Sequence, residues 1–242
     1  MPPDLPDATV RYAGHEDAVV DLHLPGGSRP PGADTPLVVL LHGGFWKQEW
    51  DRRHTRPMAR ALAELGAVVA TPEYRRVRGG GGWPVTGDDV ALAVRRLPEL
   101  LAGLGIATGA MTVTGHSAGG HLALWLTTLD LPVSRAVPLA PVCDLREAIR
   151  LGLGDGAARA LLGDTDPAVA DPMTLLDARP AAAVAVVHGV DDDVVPVTLS
   201  RGLVTAHPWI ELHEVPGGHM EPITPGSVAW PVVTTTLGLS AG

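Results

Sequence analysis

Short, unbroken apolar runs alternate along this chain with longer segments in which apolar residues recur at helical spacing. The short runs predict strands, at Thr9–Ala13, Val19–Leu24, Leu37–Leu41, Ala67–Ala70, Met111–Thr114, Arg135–Ala140, Val184–Val187 and Ile210–Val215. The longer segments predict helices, at His54–Leu65, Asp88–Leu101, Ala118–Leu129, Val197–Ala206 and Ser227–Leu237. Continuous hydrophobicity is typical of a strand that is covered on both faces, as in a parallel sheet. The alternation therefore predicts an α/β fold with a doubly wound, mostly parallel sheet and antiparallel leading strands.

The domain organisation follows from the same pattern. A length of 242 residues fits one α/β domain, so we expect a single domain over residues 1–242. Between about residues 144 and 180 the pattern weakens into short helical pieces that glycines and prolines interrupt. We interpret this segment as a short cap or lid, and a surface connection with no gating role is the alternative.

Composition and charge narrow the range of partners. Apolar residues make up 45% of the chain, which is enough for a sizeable core, and the formal net charge is −9. A chain this acidic is a poor candidate for binding nucleic acid or an anionic membrane. The first residues lack the basic and apolar regions of a signal peptide, and Cys143 is a lone cysteine. We therefore expect a cytoplasmic protein that binds neither nucleic acid nor a membrane, and the sequence does not predict its oligomeric state.

The sequence Gly115-His116-Ser117-Ala118-Gly119 lies directly between a predicted strand and a predicted helix. Gly-x-Ser-x-Gly in this position forms a sharp turn that exposes a strained serine as a nucleophile. The amides at the start of the helix would stabilise negative charge next to that serine. Ser117 is therefore the candidate nucleophile.

A serine hydroxyl needs a general base, and the base needs an acid that orients it. In folds with this turn, the acid and then the base follow the serine in loops after later strands. His219 is the only histidine after the last predicted strand and is the candidate base. Three consecutive aspartates follow the preceding strand, and of these we choose Asp192, with Asp193 as the second choice. Asp144, after an earlier strand, is a further candidate for the acid.

A third loop, His42-Gly43-Gly44-Phe45-Trp46, follows the Leu37–Leu41 strand. Its glycines leave room for backbone N–H groups to approach an oxyanion, so Gly44, Phe45 and Ala118 are the candidate donors. His42 precedes the serine in the chain, which favours a role in orienting this loop over a role as the base.

Tryptophans in loops near the expected mouth of the site are candidates for substrate binding. Trp46 and Trp83 would stack on an aromatic acyl or amine group, and packing under the oxyanion loop is the alternative for both. The chain contains no His-Glu-x-x-His and no glycine-rich dinucleotide or phosphate loop. We therefore expect neither a metal nor a cofactor.

These motifs resemble those of the α/β-hydrolase superfamily, in the branch of the kynurenine formamidases and the hormone-sensitive-lipase-like esterases. The loop His42-Gly43-Gly44-Phe45-Trp46 is similar to the His-Gly-Gly-x-Trp signature of the formamidases, whereas lipase-like members carry a third glycine in place of Phe45. The pattern His188-Gly189-x-x-Asp192-x-x-Val195-Pro196 is similar to the acid loop of the superfamily, which favours Asp192 over its neighbours.

The resemblance implies a serine hydrolase that cleaves a small carboxylic ester or an N-formyl or N-acyl aromatic amide. Two alternatives stay open. A thioesterase or cyclising acyltransferase would use the same three side chains. A catalytically silent member would instead act as a ligand receptor.

Overall fold

A computed structural model describes residues 4–26 and 31–239. Residues 1–3, 27–30 and 240–242 lie outside this part, and both ends of the predicted domain over residues 1–242 fall among them. None of the helices in the described part has the length and apolar character needed to cross a bilayer.

The described residues form an eight-stranded sheet in the order β1-β2-β4-β3-β5-β6-β7-β8. Its strands are β1 Ala8–Arg11, β2 Val19–His23, β3 Leu37–Leu41, β4 Val68–Pro72, β5 Met111–His116, β6 Val133–Leu139, β7 Ala183–Gly189 and β8 Glu211–Val215. β2 pairs antiparallel with both β1 and β4, and the other pairs are parallel. The predicted fold class, a mostly parallel sheet with antiparallel leading strands, is confirmed.

Helices cover both faces of the sheet. They are α1 Arg56–Glu64, α2 Val85–Gly103, α3 Ala118–Leu126, α4 Leu145–Leu151, α5 Leu153–Leu162, α6 Pro172–Leu175, α7 Thr198–Ala206 and α8 Trp230–Thr236. Short 3-10 helices lie at Arg52–Thr55, Pro167–Val169 and Glu221–Ile223.

The burial pattern of β3 shows why its sequence is apolar throughout. Leu37, Val39 and Leu41 belong to a core cluster that includes residues of α2, α3 and α7. Val38 and Leu40 belong to a second cluster with residues of α1 and α8. Because both faces of the strand are covered, no polar position interrupts it.

Some helix boundaries differ from the prediction for local reasons. The helix predicted from His54 begins at Arg56, because a 3-10 helix capped by the Asp51 carboxylate precedes it. The helix predicted at Ala118–Leu129 begins at Ala118 but ends at Leu126.

The segment predicted as a cap contains α4, α5 and α6, with a kink between α4 and the body of α5. Gly152, Gly154, Asp155 and Gly156 all adopt left-handed backbone angles at this kink. Gly154 lies against the ring of Phe45, where an added methyl group would meet the ring carbons. The segment therefore contacts the loop after β3, and its movement as a lid stays a prediction.

Candidate active site

Ser117 lies in the turn between β5 and α3 with φ 56° and ψ −113°. A non-glycine residue in this region is strained by about 1–3 kcal/mol, so the surrounding structure must hold it. Ser117 N–H donates to the carbonyl of Leu139, at 2.9 Å, on the neighbouring strand. The carbonyl of Ser117 accepts from His121 N–H at 3.0 Å and from Val142 N–H at 3.2 Å. The strained conformation predicted from the motif is therefore present.

The glycine at position 119 allows the turn to pack against β3. A methyl group on Gly119 would overlap the carbonyl oxygens of Leu41 and His42. Any larger residue would push α3 away from the sheet. The close approach brings the loop after β3 next to Ser117, since a methyl group on Gly43 would lie 3.3 Å from the Cβ of Ser117.

Asp192 is buried, whereas its neighbours Asp191 and Asp193 are exposed. One carboxylate oxygen of Asp192 accepts from the N–H groups of Val194, at 2.9 Å, and Val195, at 2.8 Å. The other lies 2.7 Å from His219 Nδ1 and 3.1 Å from His188 Nε2. Burial alone would raise the pKa of Asp192, but the hydrogen bonds from His188 and His219 outweigh it and hold that pKa well below its usual range.

His219 is fixed through its ring and through its backbone. Its Nδ1 faces Asp192, so this nitrogen carries the proton and Nε2 remains as the acceptor. The carbonyl of His219 accepts from Nε2 of His116, at 2.9 Å, and the two rings lie 4.4 Å apart. Burial, together with the nearby His219, lowers the pKa of His116 to about 3. A neutral His116, the residue before Ser117, thus connects the loop that carries His219 to the turn that carries Ser117.

Ser117 and His219 line one cavity of about 230 Å³. Its walls are mostly apolar and include the side chains of Phe45, Trp50, His54, Val194 and Met220. Within the described residues no hydrogen bond joins the Ser117 hydroxyl to His219. Such bonds are often long in unliganded sites and tighten when a substrate binds.

Gly44 and Phe45 line the same cavity, and both have left-handed backbone angles, with φ of 101° and 52°. Trp50 packs over Gly44, where any side chain would overlap the indole. Ala118 is the first residue of α3, so its N–H has no acceptor within the helix. Two of the candidate oxyanion donors, Gly44 and Phe45, therefore lie in the loop after β3, and the third, Ala118, directly follows Ser117 at the start of α3.

The structure does not bring Trp46 and Trp83 to this cavity. Trp46 is fully buried with its ring edge-on to His121 at 5.2 Å, and Trp83 packs against His121 and Trp125. Trp46 belongs to the core and the partly buried Trp83 packs against it, so both have a packing role, which is the alternative that the sequence left open. Trp50 and His54 occupy the wall instead, and no motif in the sequence marked them.

Phe45 also separates the Ser117 cavity from a second cavity of about 300 Å³. The second cavity is charged, because Lys47, Glu49, Arg78 and Asp155 line it. Lys47 and Asp155 form an ion pair there at 3.6 Å.

Asp144, the further candidate for the acid, and the lone cysteine Cys143 make no hydrogen bond with Ser117 or His219. Asp144 caps α4, where its carboxylate accepts from Glu147 N–H at 2.8 Å. Cys143 is buried, and burial raises the pKa of its thiol to about 12, so it stays protonated at neutral pH. Among residues 4–26 and 31–239, no three or more metal-binding side chains are grouped to hold an ion.

Several known proteins with related sequences are named as hydrolases. The BD-FAE family model matches residues 20–132, a little under half of the chain. A probable carboxylic ester hydrolase, LipM of Mycobacterium tuberculosis, is 28% identical over 70% of this chain and 44% of its own length. A kynurenine formamidase of Danio rerio is 31% identical over 50% of this chain and 38% of its own length. The chain thus spans less than half of the length of these two relatives.

Solved structures share the architecture over nearly the whole chain. A truncated carbohydrate esterase from gut microbiota superposes with a TM-score of 0.80 at 18% identity, covering 97% of this chain and 98% of its own. An esterase of Thermogutta terrifontis gives a TM-score of 0.73 at 24% identity, covering 96% of this chain and 89% of its own. The chain has the α/β-hydrolase fold, and its resemblance to the formamidase and esterase branch is confirmed.

Proposed function

We propose that this protein is a cofactor-free serine hydrolase that cleaves a small carboxylic ester or an N-formyl or N-acyl aromatic amide. The observation that carries the proposal is the 2.7 Å contact of His219 Nδ1 with buried Asp192, in a loop that shares a cavity with the strained Ser117. A hydroxyl, an imidazole and a carboxylate in this relation are the working parts of acyl transfer to serine.

In the first half of the reaction, the Ser117 hydroxyl oxygen attacks the substrate carbonyl while His219 Nε2 accepts its proton. Asp192 holds the imidazole in the tautomer with a proton on Nδ1 and stabilises the imidazolium that forms. The N–H groups of Gly44, Phe45 and Ala118 donate to the oxyanion of the tetrahedral intermediate. His219 then protonates the leaving alcohol or amine, and the acyl group stays on Ser117.

In the second half, His219 removes a proton from a water molecule that attacks the acyl-enzyme. The second tetrahedral intermediate collapses, the acid leaves, and the proton returns to Ser117. With a thioester as the substrate, the same steps would make the protein a thioesterase. With a nucleophile of the acyl group itself in place of water, they would make it a cyclising acyltransferase.

The substrate class is supported by the cavity walls and by the names of the relatives. The mainly apolar side chains around Ser117 suit an uncharged acyl or leaving group. One relative is named a carboxylic ester hydrolase and another a kynurenine formamidase, so both an ester and an amide belong in the test. The cytoplasmic location predicted from the sequence stays a prediction.

The nucleophile is tested with a fluorophosphonate probe, which labels activated serines. We expect the wild-type protein to be labelled and Ser117→Ala to stay unlabelled. The matched control is Ser134→Ala, since Ser134 lies on β6 and donates to the carbonyl of Met111 at 2.8 Å, outside the Ser117 cavity. Labelling of Ser117→Ala, or loss of labelling in Ser134→Ala alone, would contradict the assignment.

The substrate class is tested with N-formylkynurenine, p-nitrophenyl acetate, p-nitrophenyl butyrate and an acyl thioester. We expect hydrolysis of the esters, and faster turnover of the formyl amide would place the protein on the formamidase side. Ester cleavage without amide cleavage would make it a general esterase, and preferred thioester cleavage would favour the thioesterase. Measurable binding with no turnover of any substrate would favour the silent receptor.

A further inference from the structure

Asp192 has a second histidine neighbour besides His219. His188, near the end of β7, is fully buried, and its Nε2 lies 3.1 Å from the same carboxylate oxygen of Asp192 that faces His219. This Nε2 also lies 2.9 Å from the carbonyl oxygen of Val195. On the other side of the ring, Nδ1 lies 2.7 Å from the hydroxyl oxygen of Ser200, a buried residue of α7. The steps of the proposed reaction assign no part to His188.

These contacts require a proton on Nε2 of His188, whether the ring is neutral or charged. A carboxylate and a carbonyl oxygen can only accept hydrogen bonds, so an unprotonated Nε2 would direct its lone pair at both of them. In the neutral ring, the Ser200 hydroxyl donates to the lone pair of Nδ1. In a charged ring, the Ser200 oxygen would accept from Nδ1, and Nε2 would be unchanged. His188 therefore donates one proton that Asp192 and Val195 share.

The other titratable groups around His188 do not compete with Asp192 for this proton. Glu214 is the register partner of His188 on β8, but its carboxylate pairs with Arg201 at 2.6 Å. The hydrogen bond from Arg201 holds the pKa of Glu214 below its usual range. The Cys143 thiol, on the far side of the serine, is protonated, since burial raises its pKa to about 12. The carboxylate that Nε2 meets is therefore that of Asp192.

His188 and His219 donate to one and the same oxygen, so each affects the other. A hydrogen bond from His188 draws negative charge toward its own N–H and leaves less of that charge to stabilise a protonated His219. The ring of His116 also faces His219, at 4.4 Å, but it is neutral because burial lowers its pKa to about 3. The donation from His188 thus makes His219 give up its proton more readily, and a base with this property stays unprotonated at lower pH.

We propose that His188 is a positioning residue of the hydrolase, which fixes the shared oxygen of Asp192 and weakens His219 as a base, so that activity extends to lower pH. This role rests on the proposed function, whereas the proton on Nε2 does not. His188 lies outside the cavity of Ser117 and acts through Asp192.

The role is tested with His188→Met and His188→Gln, which have similar length but differ in that only glutamine can donate to Asp192. The value of kcat/KM for an ester is measured against pH on either side of neutrality. In His188→Met we expect the pH of half-maximal kcat/KM on the acid side to rise by about 0.5–1 unit. In His188→Gln we expect it to return toward the wild-type value, with the plateau at higher pH within a few-fold of wild type in both.

An acid limb that does not move in His188→Met, or that moves equally in both variants, would contradict the proposal and leave His188 a purely structural role. Urea denaturation shows whether the variants fold. If His188→Met does not fold, His188→Asn takes its place, because its shorter amide does not reach Asp192.

The protonation of His188 is tested without turnover, in a Ser117→Ala background labelled with ¹⁵N-histidine. Long-range ¹H–¹⁵N spectra at neutral pH should show a protonated Nε2 on His188, and the loss of its signals in His188→Gln assigns them. In the same background, His219 should titrate at higher pH in His188→Met than in the parent. An unprotonated Nε2, or an unchanged titration of His219, would overturn the inference whatever the activity. Inactive wild-type protein with both results as expected would contradict the proposed function instead.

Discussion

Asp192 differs from Asp191 and Asp193 in burial and contacts, although the three carboxylates are consecutive in the sequence. The loop after β7 turns Asp192 inward to His219 and leaves the flanking residues in solvent. Composition could not separate the three, because an acidic run is typical of a solvated loop. The acid-loop pattern of the resembling family did favour Asp192, and the geometry supports that choice.

Substitution of these aspartates gives a prediction at the scale of single residues. Asp192→Asn removes the charge that stabilises the His219 imidazolium, and we expect kcat to fall by about 10⁴-fold, as in related triads. Asp193→Asn, an exposed neighbour with the same change of side chain, should stay within a few-fold of wild type. Steady-state kinetics with an ester substrate measure both. The reverse ranking would transfer the role to Asp193.

The tryptophans predicted to bind substrate do not line the Ser117 cavity. Loop position predicts Trp46 and Trp83 near the mouth, yet the Trp46 side chain is fully buried and the partly buried Trp83 side chain packs against His121. The direction of a loop side chain depends on packing with distant elements such as α3, which no local pattern records. Trp50 and His54 were missed for the same reason.

At the scale of elements, the turn between β5 and α3 could be predicted because its strain needs small residues at fixed positions. The strand cores were also predictable, since they need apolar residues on both faces. The ends of the helices were harder to predict from the sequence. They depend on caps such as Asp51 and on where the next loop packs.

Gly119→Ala tests the close packing of α3 on β3. The added methyl group would overlap the carbonyls of Leu41 and His42, so we expect a loss of about 1–3 kcal/mol in the free energy of unfolding and slower fluorophosphonate labelling. Gly103→Ala, at the end of α2, is the control, because an added methyl group meets nothing within 4 Å there. Urea denaturation compares the two. Equal stability of both variants would refute the close contact.

At the scale of the whole molecule, buried histidines link stability to pH. Burial lowers the pKa of His116 to about 3 and that of His121 to about 4, from an ordinary value of 6.5. Between each lowered pKa and the ordinary value of 6.5, the unfolded chain binds more protons than the folded chain. The free energy of unfolding therefore rises with pH in this range. The stabilisation is complete above about pH 6.5 and is lost as the pH falls through the lowered values.

His121→Gln gives a test of this linkage that leaves the proposed triad intact. His116 and His121 each contribute a slope of up to about 1.4 kcal/mol per pH unit to the free energy of unfolding between pH 4.5 and 6. We expect His121→Gln to lower the slope of the free energy of unfolding against pH by the contribution of one histidine. His213→Gln, the same change at a partly exposed histidine on β8, is the matched control. Urea titrations across this range measure the slopes, and an unaltered slope in His121→Gln would count against a neutral buried ring.

The contact between Phe45 and Gly154 has a consequence for inhibition. Phe45 lines both cavities and provides one of the proposed amides, while Gly154 belongs to the kinked start of α5. A compound that binds in the charged cavity and displaces α5 would remove the contact between Gly154 and the Phe45 ring. The Phe45 N–H would then no longer be held in place. Such a compound would slow acylation without competing for the space beside Ser117, and its inhibition would be noncompetitive.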